Sequence, residues 1–276
     1  EGSRYEVVRI QLPMDAAADG SLVTSTARTC EACGYHHDRG PGLERCEYCN
    51  NLLPKPRIGL MRMETVFTRR RERISSDEEE RRRAGFEIAT SFKFTPNHNR
   101  DDSTVVDAEG PLAELAYGDT ALIRRTNIGR RRRKDPNDQG FWLDLAKGNW
   151  LSEKSAGDMD GEDSDLDDVG KAKLKDKVIP YVEDTRNILL FRVAQRIGVN
   201  EAVTLQYALE RGIEAEFQLE DSELSTELLP DPDERGRMLF TESAEGGAGV
   251  LRRIAAEPDA LARAARKALE ICHFDA

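Results

Sequence analysis

Two short stretches decide how this chain is read: Cys30-Glu31-Ala32-Cys33-Gly34-Tyr35 and Cys46-Glu47-Tyr48-Cys49-Asn50. Together they spell C-x2-C-x12-C-x2-C. Each C-x-x-C closes a tight turn that aims two thiolates at one centre. Gly34 and Asn50, just after the pairs, tolerate the left-handed backbone such turns need. Four soft ligands at this spacing suit tetrahedral zinc held by Cys30, Cys33, Cys46 and Cys49. Disulfides and an iron–sulfur cluster are the competing readings; the absence of an apolar secretory segment favours zinc. A closed four-cysteine shell leaves no position for substrate, so the zinc is expected to be structural. His36 and His37 read as loop residues. Leu43 is the one large aliphatic residue between the outer cysteines, so metal rather than a core must fold this segment. Spacing leaves open whether such a knuckle touches nucleic acid, touches protein or is only a strut.

Working outward, the N-terminal side is rich in short alternating segments. Tyr5 to Leu12, Glu64 to Thr68, Phe86 to Phe94, Thr104 to Ala108, Leu112 to Tyr117, Thr120 to Thr126 and Phe141 to Leu145 read as strands. Gly118-Asp119 and 135–140 read as turns. Ser75 to Glu80 fits a short charged helix or turn, Ser76 and Glu79 having capping-box spacing. The stretch Glu153 to Asp168 holds eight acids and one lysine and reads as a solvated acidic loop or linker. Beyond it the pattern changes. Arg186 to Val193 is an apolar strand, Glu201 to Arg211 a helix stopped by Gly212, and Ile213 to Leu219 a strand. Arg237 to Thr241 is another strand, and helices run to about Ala256 and from Pro258 to about Ile271. The expectation is an α+β chain: a small β-rich part, 1–150, with the zinc knuckle, an acidic linker, 151–170, and an α/β C-terminal domain, 171–276.

Composition bounds the function. The 276 residues carry 41 basic and 52 acidic side chains, a formal charge of −11. That balance argues against indiscriminate nucleic-acid binding by the whole surface. The basic residues are clustered, however: Arg69 to Arg73, Arg81 to Arg83, Arg124 and Arg125, and Arg130, Arg131, Arg132, Arg133 and Lys134. These blocks either contact phosphates or are paired with acids on a solvated surface. No run approaches the ~18 apolar residues of a membrane span, and a cytoplasmic location is expected. The sequence opens at Glu1 without an initiator methionine and reads as a piece of a longer chain. Gly246-Gly247-Ala248-Gly249 could present backbone N–H groups to a phosphate or form a tight turn for close packing. A nuclease would need Asp184 brought near Glu242 or Glu245.

The C-terminal text carries a resemblance. Thr204-Leu205-Gln206-Tyr207-Ala208-Leu209, Arg211-Gly212-Ile213, Leu219 to Leu224, Ala244 to Leu251 and the closing Cys272-His273-Phe274-Asp275 resemble a cysteine-cluster domain of unknown function. That domain accompanies bacterial DEAD/DEAH-box (superfamily 2) helicases, and the similarity is strongest to the DISARM phage-defence system; mitomycin-repair helicases carry a related domain. The resemblance covers about 180–276. It implies an accessory region of an ATP-dependent DNA helicase or translocase in phage defence or DNA repair, with DNA and a companion protein subunit as partners. It also implies that ATP and Mg2+ belong to a motor absent from these residues, because no Walker A or DEAD/DEAH box occurs in them. Family members also share a cysteine cluster near the C-terminus, of which only Cys272 is present here, and no ligand role is assigned to it. Within that frame, Arg124, Arg125 and Arg130 to Lys134 are the expected DNA-facing residues. A zinc-stabilised interaction scaffold and a metal-dependent nuclease remain the alternatives.

Overall fold

The protein is described by a computed structural model covering residues 4–12, 22, 24–38, 42–71, 85–96, 100–162, 175–220, 222–244 and 247–274. Its frame is two long strands. β8, Pro111–Arg130, runs antiparallel to β11, Lys175–Val193, with Ala113 opposite Val193 and Thr126 opposite Tyr181. On its other edge β8 takes β7, Arg100–Val106, and then β6, Phe86–Phe94. β11 also pairs with β13, Met238–Glu242, which carries β12, Leu224–Leu228. Near its start β11 pairs with β9, Phe141–Asp144, and, in parallel, with β4, Arg57–Arg62. β4 continues to β2, Ser25–Thr29, and β3, His36–His37. β10, Trp150–Leu151, completes a hairpin with β9. β1, Arg4–Ile10, and β5, Val66–Arg71, form a separate two-stranded ribbon. Strands from 1–150 and from 171–276 therefore share one sheet. The chain is mixed α/β and strand-rich, as its sequence suggests.

The central strands are covered on both faces, which is why Ile188-Leu189-Leu190-Phe191 is apolar without interruption. Leu189 and Phe191 join Leu115, Tyr117, Met238 and Phe240 under three helices. These are α2, Val199–Phe217, α3, Val250–Ala256, and α4, Ala260–Ile271. Ile188 and Leu190 point the other way, to Phe92, Ile123, Leu239 and the cysteines. The knuckle thus forms the second cover of the sheet, and the layers run helices, sheet, knuckle.

Several local expectations are corrected. Gly118-Asp119 is not a turn: β8 runs straight through it. There the strand changes neighbour, Gly118 facing Arg100 of β7 and Ala121 facing Phe94 of β6. A Cβ on Gly118 would meet the Phe94 ring at 2.7 Å, so the glycine serves close approach. Gly212 does not stop α2, and Ile213 to Phe217 is helix rather than strand. A Cβ there would lie 2.3 Å from the Ala264 carbonyl oxygen and 2.9 Å from the Ala268 methyl, so Gly212 lets α2 and α4 touch. Part of the acidic stretch is helical: α1, Glu153–Glu162, begins where the Ser152 hydroxyl accepts the Ser155 N–H at 3.0 Å, a serine cap that offsets the poor composition. His36 and His37 are not loop residues but a short strand, 0% and 1% exposed. The helix or turn expected at Ser75 to Glu80 and the basic residues 73 and 81–83 lie outside the described residues.

Candidate metal centre and basic surfaces

The cysteines meet in space. Cys30 and Cys49 sulfurs lie 3.5 Å apart, Cys33 and Cys46 sulfurs 3.6 Å, and all four fall within 4.8 Å of one another. None is in a disulfide. A zinc tetrahedron with metal–sulfur bonds of about 2.3 Å has edges of about 3.8 Å, close to the two shortest sulfur–sulfur separations here. The two knuckles are built alike. The Gly34 N–H returns to Cys30 O at 2.8 Å and Asn50 N–H to Cys46 O at 2.9 Å. Gly34 has φ 78° and Asn50 φ 61°, the left-handed geometry the sequence calls for. Cys30, Cys33 and Cys46 are buried and Cys49 is half-buried. Donors aim at the sulfurs: the Tyr48 amide at Cys46 and the Asn51 side-chain amide at Cys49, both at 3.4 Å.

Without a metal the thiols share protons unevenly. The Cys33 thiol donates to Cys46 and holds it down to about 4; the same bond and burial push Cys33 well up. Burial lifts Cys30 to about 11. A metal that keeps all four as thiolates must offset those costs, and tetrahedral zinc does so by direct bonding.

His37, missed as a functional residue, sits behind this centre. Its Nε2 lies 3.4 Å from Cys46 Sγ and its Nδ1 3.3 Å from a Glu47 carboxylate oxygen. Only the tandem histidines next to the first knuckle hint at it in sequence.

The knuckle is clamped to the sheet. Tyr35 stacks on Tyr48 with centroids 5.6 Å apart, and Phe92 meets both rings edge-on. Arg237 donates to the Ala32 carbonyl at 2.9 Å. Asp38 takes Lys93 at 2.7 Å and Arg124 at 2.8 Å. Arg124 also donates to Glu183 at 2.6 Å and lies 4.5 Å from the Tyr181 ring centroid. His36, Asp38 and Glu183 converge closely enough to suggest a second cation site. The Arg124 guanidinium already fills the space between the two carboxylates, so the group is a charge network. Among the described residues His36 has no hydrogen-bond partner on either ring nitrogen, and burial with the nearby Arg124 charge holds it down to about 3, hence neutral.

The basic candidates divide. Arg124 is buried and bound as described. Arg125 pairs with Glu227 at 2.7 Å while half-exposed. Arg133 spans Glu87 at 2.7 Å and the Pro136 and Arg130 carbonyls, bracing the turn after β8. Arg130, Arg131, Arg132 and Lys134 project from that turn into solvent.

The other candidates are placed as follows. Asp184 is exposed and binds Arg186 at 2.7 Å. Glu242 is wholly buried and accepts the Val250 and Leu251 N–H groups at 2.6 and 3.1 Å. It thereby occupies the place a phosphate would take at the start of α3, and a Cβ on Gly247 would strike this carboxylate at 2.2 Å, so the described glycines there serve close packing; Gly246 lies outside the described residues. Glu245 lies outside the described residues. Among those residues, no group of potential metal ligands includes Asp184 or Glu242.

Comparison with known proteins adds one sequence match. The family model of the MrfA Zn-binding domain matches residues 205–275, from α2 to the end of α4, about a quarter of the chain. That segment holds one cysteine, Cys272, and none of the four in the knuckle. No curated protein matches. A solved structure, titled the crystal structure of DUF1998 helicase MrfA bound to DNA, aligns over 73% of this chain and 22% of that one, at 8% identity and a TM-score of 0.35. No helix among the described residues is long and apolar enough to cross a membrane.

Proposed function

We propose that this chain is an accessory region of an ATP-dependent DNA helicase or translocase, working in phage defence or DNA repair. Its strands and helices form a platform, stiffened by a structural zinc at Cys30, Cys33, Cys46 and Cys49, that contacts DNA served by a motor elsewhere. ATP and Mg2+ belong to that motor. The observation that carries the reading is the match of 205–275 to the MrfA Zn-binding domain, the same stretch whose text resembles helicase-associated domains. The division into a β-rich 1–150, a linker 151–170 and a C-terminal 171–276 belongs to this proposal as an order of parts along the chain.

The zinc holds four thiolates and has no site for substrate. What the chain's own residues do is bind and orient. Asp38, Lys93, Arg124 and Glu183 fix the knuckle on the sheet, and Arg133 braces the turn that lifts Arg130, Arg131, Arg132 and Lys134 into solvent. Those four are the ones free to neutralise phosphates; Arg124 and Arg125 support from within ion pairs.

The test is fluorescence anisotropy of the purified chain with single-stranded and duplex DNA over a salt series, with zinc content measured in the same sample. Changing Arg130, Arg131 and Arg132 to serine is expected to weaken binding and flatten its salt dependence. Full zinc occupancy with no salt-sensitive binding overturns the DNA contact. It leaves the scaffold reading, which the ion pairs of Arg124, Arg125 and Arg133 favour, with a partner subunit docking on the same platform.

A further inference from the structure

We infer that the two-stranded ribbon β1–β5 is a second DNA-binding element, inserted against the phosphates of a duplex groove. Three observations converge on it.

The first is charge. Arg4, Arg9, Arg69, Arg70 and Arg71 stand on the ribbon against one acid, Glu6, in a chain whose total is −11. The register sets Arg4 opposite Arg71, Glu6 opposite Arg69 and, after a bulge, Arg9 opposite Phe67. Arg69 is 62% exposed although it touches Glu6 at 3.3 Å. Arg9 and Arg70 are exposed, and neither is ion-paired among the described residues. All five cations are arginines, whose forked donors match phosphate oxygens.

The second is shape. Val7 and Ile10 turn toward Leu143, Val178 and Met61, so one face of the ribbon seats on the body. The opposite face, with Glu6, Arg9, Phe67 and Arg69, is turned to solvent. Phe67 is 41% exposed, and the Arg9 guanidinium lies 4.0 Å from its ring centroid, which keeps that cation in place on the open face. A two-stranded ribbon is narrow enough for the B-DNA major groove, which is about 12 Å wide.

The third is position. The ribbon is tied to the tip of the β9–β10 hairpin, where Ile10 N–H donates to Gly148 O at 2.9 Å and Arg9 bridges Asn149. The entry of the same hairpin is tied to the end of β8, with Gly140 N–H on Ile128 O at 2.7 Å and Phe86 against Phe141. The ribbon and the Arg130–Lys134 turn therefore rest on one small support, so one duplex can engage both.

The inference builds on the DNA contact proposed above, and the experiment separates the two. A 20-base-pair duplex is titrated by anisotropy from 50 to 200 mM salt with the wild-type chain. The same is done with the R9S/R69S double variant, which alters the open face, its lysine counterpart R9K/R69K, and R130S/R131S/R132S. Circular dichroism and zinc content confirm that each is folded. Two lost phosphate contacts flatten the salt slope by about 1.8, so across that range the wild type loses about 12-fold more affinity than the ribbon serine variant. The lysine variant is expected to keep most of the slope, because the charge remains. A ribbon serine variant with wild-type affinity and slope, beside a weakened Arg130–Arg132 variant, overturns the ribbon alone. The reverse pattern supports the ribbon and overturns the turn. A wild-type chain that ignores the duplex at 50 mM salt overturns both.

Discussion

Replacing His37 by leucine is expected to loosen the zinc without unfolding the knuckle. The ring is wholly buried, with Nε2 3.4 Å from Cys46 Sγ. Once zinc holds that sulfur as a thiolate, the sulfur can only accept, so Nε2–H donates to it. A hydrogen bond to a charged acceptor contributes about 1.5–3 kcal/mol, which corresponds to roughly 10- to 150-fold in affinity. The usual effect of removing a partner behind a metal ligand, about 10- to 100-fold, lies in the same range. Leucine fills much of the ring's volume, so packing against Tyr35, 5.1 Å away, is largely kept. Glu47 loses its contact but is 40% exposed and falls back on water at little cost. Glutamine at the same position can return one N–H to the sulfur and is expected to recover part of the loss.

The assay is competition between the protein and a chromophoric chelator, with zinc released by a mercurial giving the stoichiometry. Cobalt replaces zinc in a parallel sample, because its sulfur-to-metal absorption reports the thiolate directly. The leucine variant should release zinc about 10-fold or more faster and shift the cobalt band; the glutamine variant should lie between. Equal zinc affinity in all three proteins, with one zinc per chain, would refute the argument about His37 and leave the metal assignment standing. A wild-type chain that retains no zinc would remove the metal assignment itself.

Gly212→Ala tests the helix contact: on an open helix it would stabilise by about 1 kcal/mol, but here the new methyl must displace the Ala264 carbonyl. We expect a net loss of about 2 kcal/mol and a Tm lower by roughly 4–8 °C in a thermal melt, and a stabilised variant would contradict the close crossing of α2 and α4. His36 is held down to about 3 by burial and by Arg124, so its neutral form favours the fold above its unfolded pKa near 6.5. That stability is present above pH 6.5 and is lost as the pH falls toward 3. In urea titrations at pH 7, 5.5 and 4.5, a His36→Leu variant should show a flatter acid decline than the wild type, and parallel declines would exclude His36 from acid lability.

How far the sequence carried the fold depends on where the deciding contact lies. The knuckle was legible because its chemistry is local: two C-x-x-C turns, each closed by its own backbone bonds, need no distant partner to be recognised. Phe86–Phe94 was legible because its alternation and its boundary are both written within nine residues. Gly118 and Gly212 were misread for the opposite reason. Glycine is the same letter whether it breaks an element or admits a neighbour, and the neighbours, Phe94 and Ala264, lie 24 and 52 residues away. Lys175–Ile179 was missed because lysine and aspartate give no β signal; pairing with Phe141–Asp144 and with Leu60 makes it strand.

Charge shows the same limit at the candidate site. Arg124 and Arg130 look alike in sequence, each in a short basic run. Arg124 falls on β8 beside Ile123, whose side chain packs beneath the knuckle, and meets Glu183 across the β8–β11 pair. It is therefore spent on holding Asp38, and through Asp38 the knuckle, to the sheet. Arg130 ends the strand, where pairing stops at Phe86 and the carboxylate β6 brings there, Glu87, is taken by Arg133. On the proposed reading the phosphate-binding surface begins where β8 runs out of partners, and among the described residues the turn 130–134 and the ribbon moored at Gly148 both rest on the β9–β10 hairpin there. Arg124 is the internal control for that argument: its loss should disturb zinc-dependent packing of the knuckle while the salt dependence of DNA binding stays with Arg130, Arg131 and Arg132.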